Sequence, residues 1–491
     1  MAFRSTSHAL AVGAVCLALA PLTGCGSGSG EPSSSKDGTS AAGQPSAPTE
    51  SRAPSRGKGS KDPDDLNGDG HRDLVLPVFT KPGQDPAEGT DERVGVVYGS
   101  AKGIDPATRT VLGRRDLGLP GPPANPPVGA VGRDSVSAED VVTADLDGDG
   151  FADVVTTAPS GERVGDGNIS APPSTPYVMW GGPDGPRKGA EVTRLRLPES
   201  ASKLGVTSVV RGDFDGDGHH DLAGLAQNQS STVVLYGPFT RSGEPKRTDT
   251  GLPYTDGDLA ADDIDPSGKA RATSLLVHAV SDGEQSGNTL HPARRGTGLS
   301  AGGRTLRGGN AHAFGDFDGD GQRDVAVGDD GGRNDEPGEG TEPEDVDGKL
   351  TVYPGNSGAP VAHELPEAPK GARTDYGPGG FSAADPDGDG RDGILVATYE
   401  GATLIDGDQR TPVTRQGPAK ADGKKTPKKW RHARPAGAAD FDGDGKDELI
   451  LNWGSGTLFG LCGEQPTHWW ITDGTGSRDK TSFTTTEFVS R

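Results

Sequence analysis

One nine-residue pattern, alternating carboxylates followed by a glycine and a closing acid, returns seven times along this chain. It reads DLNGDGHRD from Asp65, DLDGDGFAD from Asp145, DFDGDGHHD from Asp213, DFDGDGQRD from Asp316 and DFDGDGKDE from Asp440. A weaker copy, DPDGDGRDG, starts at Asp385, and a degenerate one, DIDPSGKAR, starts at Asp263. Successive starts lie 50 to 80 residues apart. Self-similarity at such a spacing marks a repeat architecture, in which each copy is one supersecondary unit that buries its faces against its neighbours.

The chemistry of the pattern suits a hard cation. Calcium takes roughly six to eight oxygens, and side chains at positions 1, 3 and 5 converge on it when a glycine at position 6 turns the backbone sharply. The closing carboxylate here stands at position 9, whereas an EF-hand uses a Glu at position 12. Position 12 holds Leu76, Thr156, Gly224, Val327 and Leu451 in the five best copies, so the EF-hand is excluded.

Short β-type runs flank the loops. Leu74-Val-Leu76, Val154-Val-Thr156, Val325-Ala-Val327 and Leu449-Ile-Leu451 follow them, and Val141-Val-Thr143 and Val209-Val210 precede them. A further run ending in glycine comes next, as in Val96-Val-Tyr-Gly99, Val178-Met-Trp-Gly181 and Leu235-Tyr-Gly237. β-branched and aromatic runs bounded by turn residues indicate strands, and helical periodicity of useful length is absent after the first few dozen residues. Hydrophobic residues make up only 30% of the 491, while Gly 79 and Pro 40 are abundant. The chain therefore reads as all-β with glycine-rich turns.

Strand, DxDxDGxxD loop, strand, then VGVVYGSAKG (Val94 to Gly103) resembles the FG-GAP repeat of integrin α-subunit propellers and the related bacterial VCBS-type repeats. Phe314-Gly315 before Asp316 and Thr157-Ala-Pro159 after Asp153 echo the name-giving parts. The resemblance implies a seven-bladed β-propeller of four-stranded antiparallel blades over residues 61–491, with about five good calcium sites and a doubtful sixth. Its ligands carry over as Asp145, Asp147, Asp149 and Asp153; Asp213, Asp215, Asp217 and Asp221; and Asp316, Asp318, Asp320 and Asp324. Asp65, Asn67, Asp69 and Asp73 follow with an amide at position 3, and Asp440, Asp442, Asp444 and Glu448 with a longer closing side chain. The doubtful sixth site comprises Asp385, Asp387 and Asp389, with Gly393 at position 9 and Asp392 displaced to position 8. In the copy at Asp263, Ser267 stands at position 5 and Arg271 at position 9, so no cation is expected there. His219 and His220 are expected as exposed loop side chains.

The six cation-competent copies hold 22 ligand carboxylates, against a formal net charge of -23. The acidity is thus largely that of the loops, and it argues against nucleic acid as a partner. Asp213 also ends an Arg211-Gly-Asp213 tripeptide, a familiar adhesion signal. As first ligand of its loop it is expected to point inward, which leaves the tripeptide a coincidence.

Arg4 precedes an apolar run over residues 9–20, too short for a transmembrane helix of roughly 20 residues and suited to a signal-peptide core. Leu22-Thr-Gly-Cys25 resembles the bacterial lipoprotein box, which implies lipidation of Cys25. The expected organisation is a signal peptide (1–24), a disordered Gly/Ser/Pro-rich tether (25–60) and the propeller (61–491). The protein would then be exported and held on the outer face of the cytoplasmic membrane. Of three cysteines, Cys16 lies in the signal and Cys25 in the box, so Cys462 has no disulfide partner. The first loop follows the tether with no strand before it. The spare segment 481–489 is therefore expected to pair into the first blade and close the ring.

No HExxH, GxSxG, phosphate-binding P-loop or zinc-type Cys/His spacing is present. The leading functional reading is a calcium-binding surface module for an extracellular protein or glycan. The alternative is an exported hydrolase or lyase that uses the propeller as scaffold. A deep polar pocket on the axis, with His, Arg or carboxylates converging outside the loops, is the feature that would separate them.

Overall fold

In the computed structural model, every strand before an acidic loop pairs antiparallel with the strand after it, and this hairpin starts a blade. The structure describes residues 44–80, 91–121, 134–159, 164, 172–279, 285–331, 346–366, 380–421, 423–455 and 465–489. Blade 2 shows the plan: Val141–Ala144, Asp153–Pro159, Ser174–Met179 and Val192–Arg194 pair in chain order. Blades 3 to 7 begin with Val206–Gly212, Gly257–Ala261, Ala311–Gly315, Phe381–Ala384 and Arg434–Ala439 and have the same four-stranded order. Among the described residues blade 1 has three strands, Leu74–Phe79, Glu92–Val97 and Arg109–Leu112. The molecule is a seven-bladed β-propeller.

Side chains on a strand alternate between its two faces, and here each face meets a different neighbour. Val233 and Leu235 pack toward blade 2, whereas Val234 and Tyr236 pack toward blade 4. Both faces of a blade are therefore buried, which explains near-continuous apolar runs in a chain so poor in hydrophobic residues. Seven clusters of buried residues fill the seven interfaces. The last of them joins Leu74, Leu76 and Val97 of blade 1 to Ile450, Trp469 and Phe483 of blade 7, and this closes the ring. Full burial of one such side chain contributes about 1.5 to 3 kcal/mol.

The closing segment differs from the expectation. Asp479–Thr484 pairs with His468–Thr472 as the fourth strand of blade 7, not with blade 1. Without it that blade would be a strand short, so the segment was never spare. Phe488 still reaches the junction, where the Arg109 guanidinium of blade 1 lies 4.4 Å from its ring.

The segment before the first loop supplies further closure. Ser46 pairs with Phe483 on the outer edge of blade 7, and Arg52 pairs with Thr108 beside blade 1. Lys58 N–H donates to the Gly68 carbonyl at 2.8 Å, and Ser60 N–H to that of Gly150 at 2.7 Å. Residues 44–60, expected as the end of a disordered tether, are thus bonded to three blades. Residues 1–43, with the expected signal peptide and Cys25, lie outside the described residues, as does Cys462. Among the described residues no helix is long and apolar enough to cross a membrane.

Candidate cation-binding loops and axial cavity

Each loop coils around its first acid. Asp65, Asp145, Asp213, Asp316, Asp385 and Asp440 each accept the N–H of the glycine at position 6, at 2.7 to 3.1 Å. That glycine has φ between 81° and 92°, a left-handed conformation that side chains rarely adopt. The tight turn gathers the acids. Ligand oxygens of Asp145, Asp147 and Asp149 come within 4.8 Å of one another, as do those of Asp213, Asp215 and Asp221. So do those of Asp316, Asp318 and Asp320, of Asp385, Asp387 and Asp389, and of Asp440, Asp442 and Glu448. Asp153, Asp217, Asp324 and Asp444 stand outside these groups. In the first loop Asp65 and Asn67 are fully buried beneath residues 55–60, and the Asn67 amide donates to Asp69 at 3.1 Å.

Buried oxygens in these loops lack partners. Asn67 Oδ1, Asp145 Oδ1, Asp213 Oδ1, Asp215 Oδ1 and Asp442 Oδ1 are all buried without a hydrogen bond. Buried polar atoms are normally satisfied, and clustered carboxylates repel unless a cation neutralises them. An all-oxygen donor set at a sharp turn fits a hard divalent cation.

The acid at position 9 does more than face the loop. Asp73, Asp153, Asp221 and Asp324 each accept the N–H of position 2 through one oxygen, at 2.7 to 2.9 Å. The other oxygen accepts the N–H of Gly99, Gly181, Gly237 or Gly355 at the end of the third strand, at 2.7 to 2.8 Å. A Cβ on those glycines would lie 2.2 to 2.5 Å from the carbonyl oxygen of position 8, which is why glycine ends that strand. Burial pushes the carboxyls of Asp153 and Asp221 up to about 8, against these N–H bonds.

In some loops basic side chains already face the acids. Arg241 pairs with Asp147 at 2.7 Å and Asp149 at 2.6 Å, and Arg247 with Asp215 at 3.0 Å. Lys480 goes furthest: its Nζ lies 2.5 Å from Asp442, 3.1 Å from Asp444 and 2.9 Å from Glu448. Burial opposes its charge, but those three acids hold its pKa above the usual lysine range. An ammonium thus stands among three of the four ligands expected for the loop at Asp440.

The degenerate loop takes another shape. Ala261 pairs with Leu275, which makes the loop longer than its counterparts and puts Asp262, not Asp263, in the place of a first ligand. Arg271 pairs with Asp262. The loop's cation is therefore a side chain, as expected, although the register is shifted by one.

Position 8 carries a function that motif reading missed. His220 is buried, not exposed, and its Nδ1 accepts the Asp145 N–H of the preceding blade at 2.8 Å. Asp392 accepts the Asp316 N–H at 2.7 Å, and Asp447 that of Asp385 at 2.9 Å. Asp392 is thus an interblade clasp and not a displaced ligand. Arg323 joins Asp262 at 2.9 Å to Asp392 at 3.2 Å across three blades. The available signal was a charged or imidazole side chain directly before a buried strand.

A cavity of about 460 Å³ lies on the axis. Among the described residues blade 1 has no inner strand, so Leu74 and Val75 border this space, opposite Val142, Val209 and Val210. Asp64, Arg72, Arg211, Asp262 and Asp263 supply its charge. Arg211 grips Asp64 through both terminal nitrogens, at 2.5 and 2.8 Å, and donates to the Thr143 carbonyl at 2.7 Å. Burial pushes the Asp64 carboxyl up, yet Arg211 and Arg72 outweigh it and hold the group below the usual range. Asp263 has a 71% exposed side chain on the cavity lining, and the surrounding protein and Asp262 raise its carboxyl.

The FG-GAP repeat family model matches residues 137–171, which carry the first two strands and the loop of blade 2. The chain is thus a seven-bladed β-propeller containing an FG-GAP repeat segment. No curated protein sequence matches it. Similar solved structures include the V. cholerae biofilm matrix protein Bap1, at 14% identity and TM-score 0.33, covering 84% of this chain and 87% of that one. An Agrocybe aegerita lectin described as recognising non-reducing terminal N-acetylglucosamine is similar at 14% identity and TM-score 0.37, covering 74% and 84%.

Proposed function

We propose that the chain is an exported, calcium-binding β-propeller, anchored through lipidated Cys25 on the outer face of the cytoplasmic membrane, which binds an extracellular protein or glycan. The observation that carries the cation is the set of buried, unpartnered oxygens in the loops at Asp65, Asp145, Asp213 and Asp440. Calcium then serves the scaffold, and the axial cavity serves the partner. Its valine walls and charged floor suit an apolar ring or chain bearing a few polar groups, the usual composition of a ligand pocket.

The cavity meets half of the condition that would separate binding from catalysis. Arginines and carboxylates converge there, but Asp64 is bound to Arg211, and Asp262 to Arg271 and Arg323. Charges that neutralise one another favour a binding floor over an acid–base pair for a hydrolase or lyase. The test is a glycan array together with pull-down from envelope extract, using the parent and a cavity-filling Val142→Trp variant. Binding that needs calcium and is lost in the variant is expected; equal binding by both would remove the cavity from the account. Cys25→Ala should lose the acyl mass that the parent carries, and a parent chain without acyl mass would refute the anchor.

A further inference from the structure

We propose that the ribbon between blades 6 and 7 is a docking surface for an anionic membrane, set against the bilayer to which the chain is tethered; this rests on the lipid-anchor reading above. From Lys420 to Arg434 the sequence KADGKKTPKKWRHAR carries seven Lys and Arg against one acid, Asp422, in a chain of net charge -23. Asp422 lies outside the described residues. Lys420, Lys424, Lys425, Lys428 and Lys429 are all exposed, and among the described residues none of them is in an ion pair. This contrasts with Arg241, Arg247 and Lys480, which are spent on loop acids.

The lysines stand on a fixed frame. Lys420–Ala421 and Lys424–Lys425 form a two-stranded ribbon, and Lys428–Trp430 follows as a single 3-10 turn. At its base Gly417 N–H donates to the Arg431 carbonyl at 2.6 Å, and the Trp453 indole of blade 7 donates to the Trp430 carbonyl at 2.7 Å. The Lys429 ammonium lies 4.8 Å from the centre of the half-buried Trp430 ring. Basic side chains grouped around an amphipathic tryptophan are the composition that settles at a headgroup layer.

The second observation fixes which surface this ribbon faces. Gln44, the first described residue, donates to the Gln416 carbonyl at 2.9 Å, and Gln416 pairs with His432 across the base of the ribbon. The chain thus enters the propeller at the foot of its basic ribbon, 19 residues on from Cys25. A Gly/Ser-rich coil of that length spans roughly 25 Å root-mean-square. A lipid on Cys25 would hold the lysines close to the bilayer and turn this edge of the ring toward it. Anionic headgroups are attracted to such a cluster within about one Debye length, roughly 8 to 10 Å at moderate salt. One lipid signal and one polybasic patch together anchor more firmly than either alone.

The experiment uses the full chain bearing Cys25→Ala, which removes the lipid, with vesicles of phosphatidylcholine alone or mixed with phosphatidylglycerol. Cosedimentation with the anionic vesicles should exceed that with neutral ones by at least about tenfold and should fall with added salt. Replacing Lys420, Lys424, Lys425, Lys428 and Lys429 together by Gln should abolish the difference while the melting temperature is unchanged, since all five are exposed. Equal sedimentation of both proteins overturns the proposal. So does retention on soluble polyphosphate without vesicle binding, which would assign the ribbon to a free anionic polymer. The anchor reading fails separately, when the unaltered chain is found unlipidated and soluble while vesicle binding persists.

Discussion

Arg211 and Asp213 stand two positions apart and share the work of holding the axis and one loop. The Asp213 side chain is buried against the Gly218 N–H, and Arg211 is enclosed between Asp64 and Thr143. Asp213 is thus turned into its loop and Arg211 into the axial cavity, which is not the displayed pair that an adhesion tripeptide needs. Arg211 is not silent, however, as a mere coincidence would be. Arg211→Ala leaves the half-buried Asp64 with only the Thr143 hydroxyl and, at 3.6 Å, Arg72, and loss of such a partner costs about 1 to 3 kcal/mol. Denaturant melts should show that loss, with Arg211→Lys intermediate; an unchanged melt would mean that the axial network is not stabilising. Lys480 poses the complementary case. Lys480→Met should free Asp442, Asp444 and Glu448 for an ion, so native mass spectrometry in calcium should count one more ion than in the parent. An unchanged count would mean that the ammonium yields to calcium unaided.

The blade is the scale at which the repeat makes physical sense. Its loop, closing acid and third-strand glycine form one unit, tied by the two hydrogen bonds that the acid accepts. Gly181→Ala places a methyl group 2.5 Å from the Ala152 carbonyl oxygen, so the strand end must move away from Asp153. We expect a loss of about 2 to 4 kcal/mol, in the range of severe backbone or packing conflicts, read by thermal melting. A change below measurement error would show that the strand end is free to shift. Acids, glycines and strands were legible because all act within a few residues. The clasp at position 8 was not, since Asp392 and Asp447 look like spare loop acids until the neighbouring blade supplies the N–H that each accepts. The role of residues 481–489 differs from the expectation for a related reason: strand propensity says that a segment pairs, and only the blade lacking a fourth strand says where.

Across the whole ring, stability is divided between seven apolar interfaces and the loops that cap them. At millimolar calcium and dissociation constants of about 0.1 to 1 mM, each filled loop contributes roughly 0.5 to 1.5 kcal/mol. Chelator should therefore lower the melting temperature, and calcium should restore it better than magnesium, whose rigid octahedral shell fits these loops poorly. An unchanged melt would leave the loops as acidic turns. The pH dependence has two opposed parts. Asp153 and Asp221, raised to about 8 from 3.8, keep protons in the fold that the unfolded chain has released, so their contribution is lost as pH climbs from about 4 toward 8. His220, His312 and His468, lowered to about 4 from 6.5, stay neutral in the fold, so their contribution is lost as pH falls from 6.5 toward 4. In chelator the melting temperature should rise from pH 8 to about 6.5 and then level or fall. In calcium the first trend should vanish, because the bound ion stabilises the charged carboxylates. The same slope above pH 6.5 with and without calcium would refute this assignment.

By itself the sequence determined the all-β class, the number of repeats, the place of each loop between two strands, and the acids that gather at each turn. These follow from local chemistry: a glycine at position 6 and alternating carboxylates suffice to shape a turn wherever it occurs. Tertiary structure alone decided which loops meet a lysine or arginine, which acids clasp a neighbour, and how the ring closes. It also decided that an axial cavity exists, because the inner edge of blade 1 at Leu74 and Val75 borders a space only when six other blades surround it. Those outcomes depend on residues such as Asp64 and Arg211, 147 positions apart, and no local pattern in the chain can carry information about that distance.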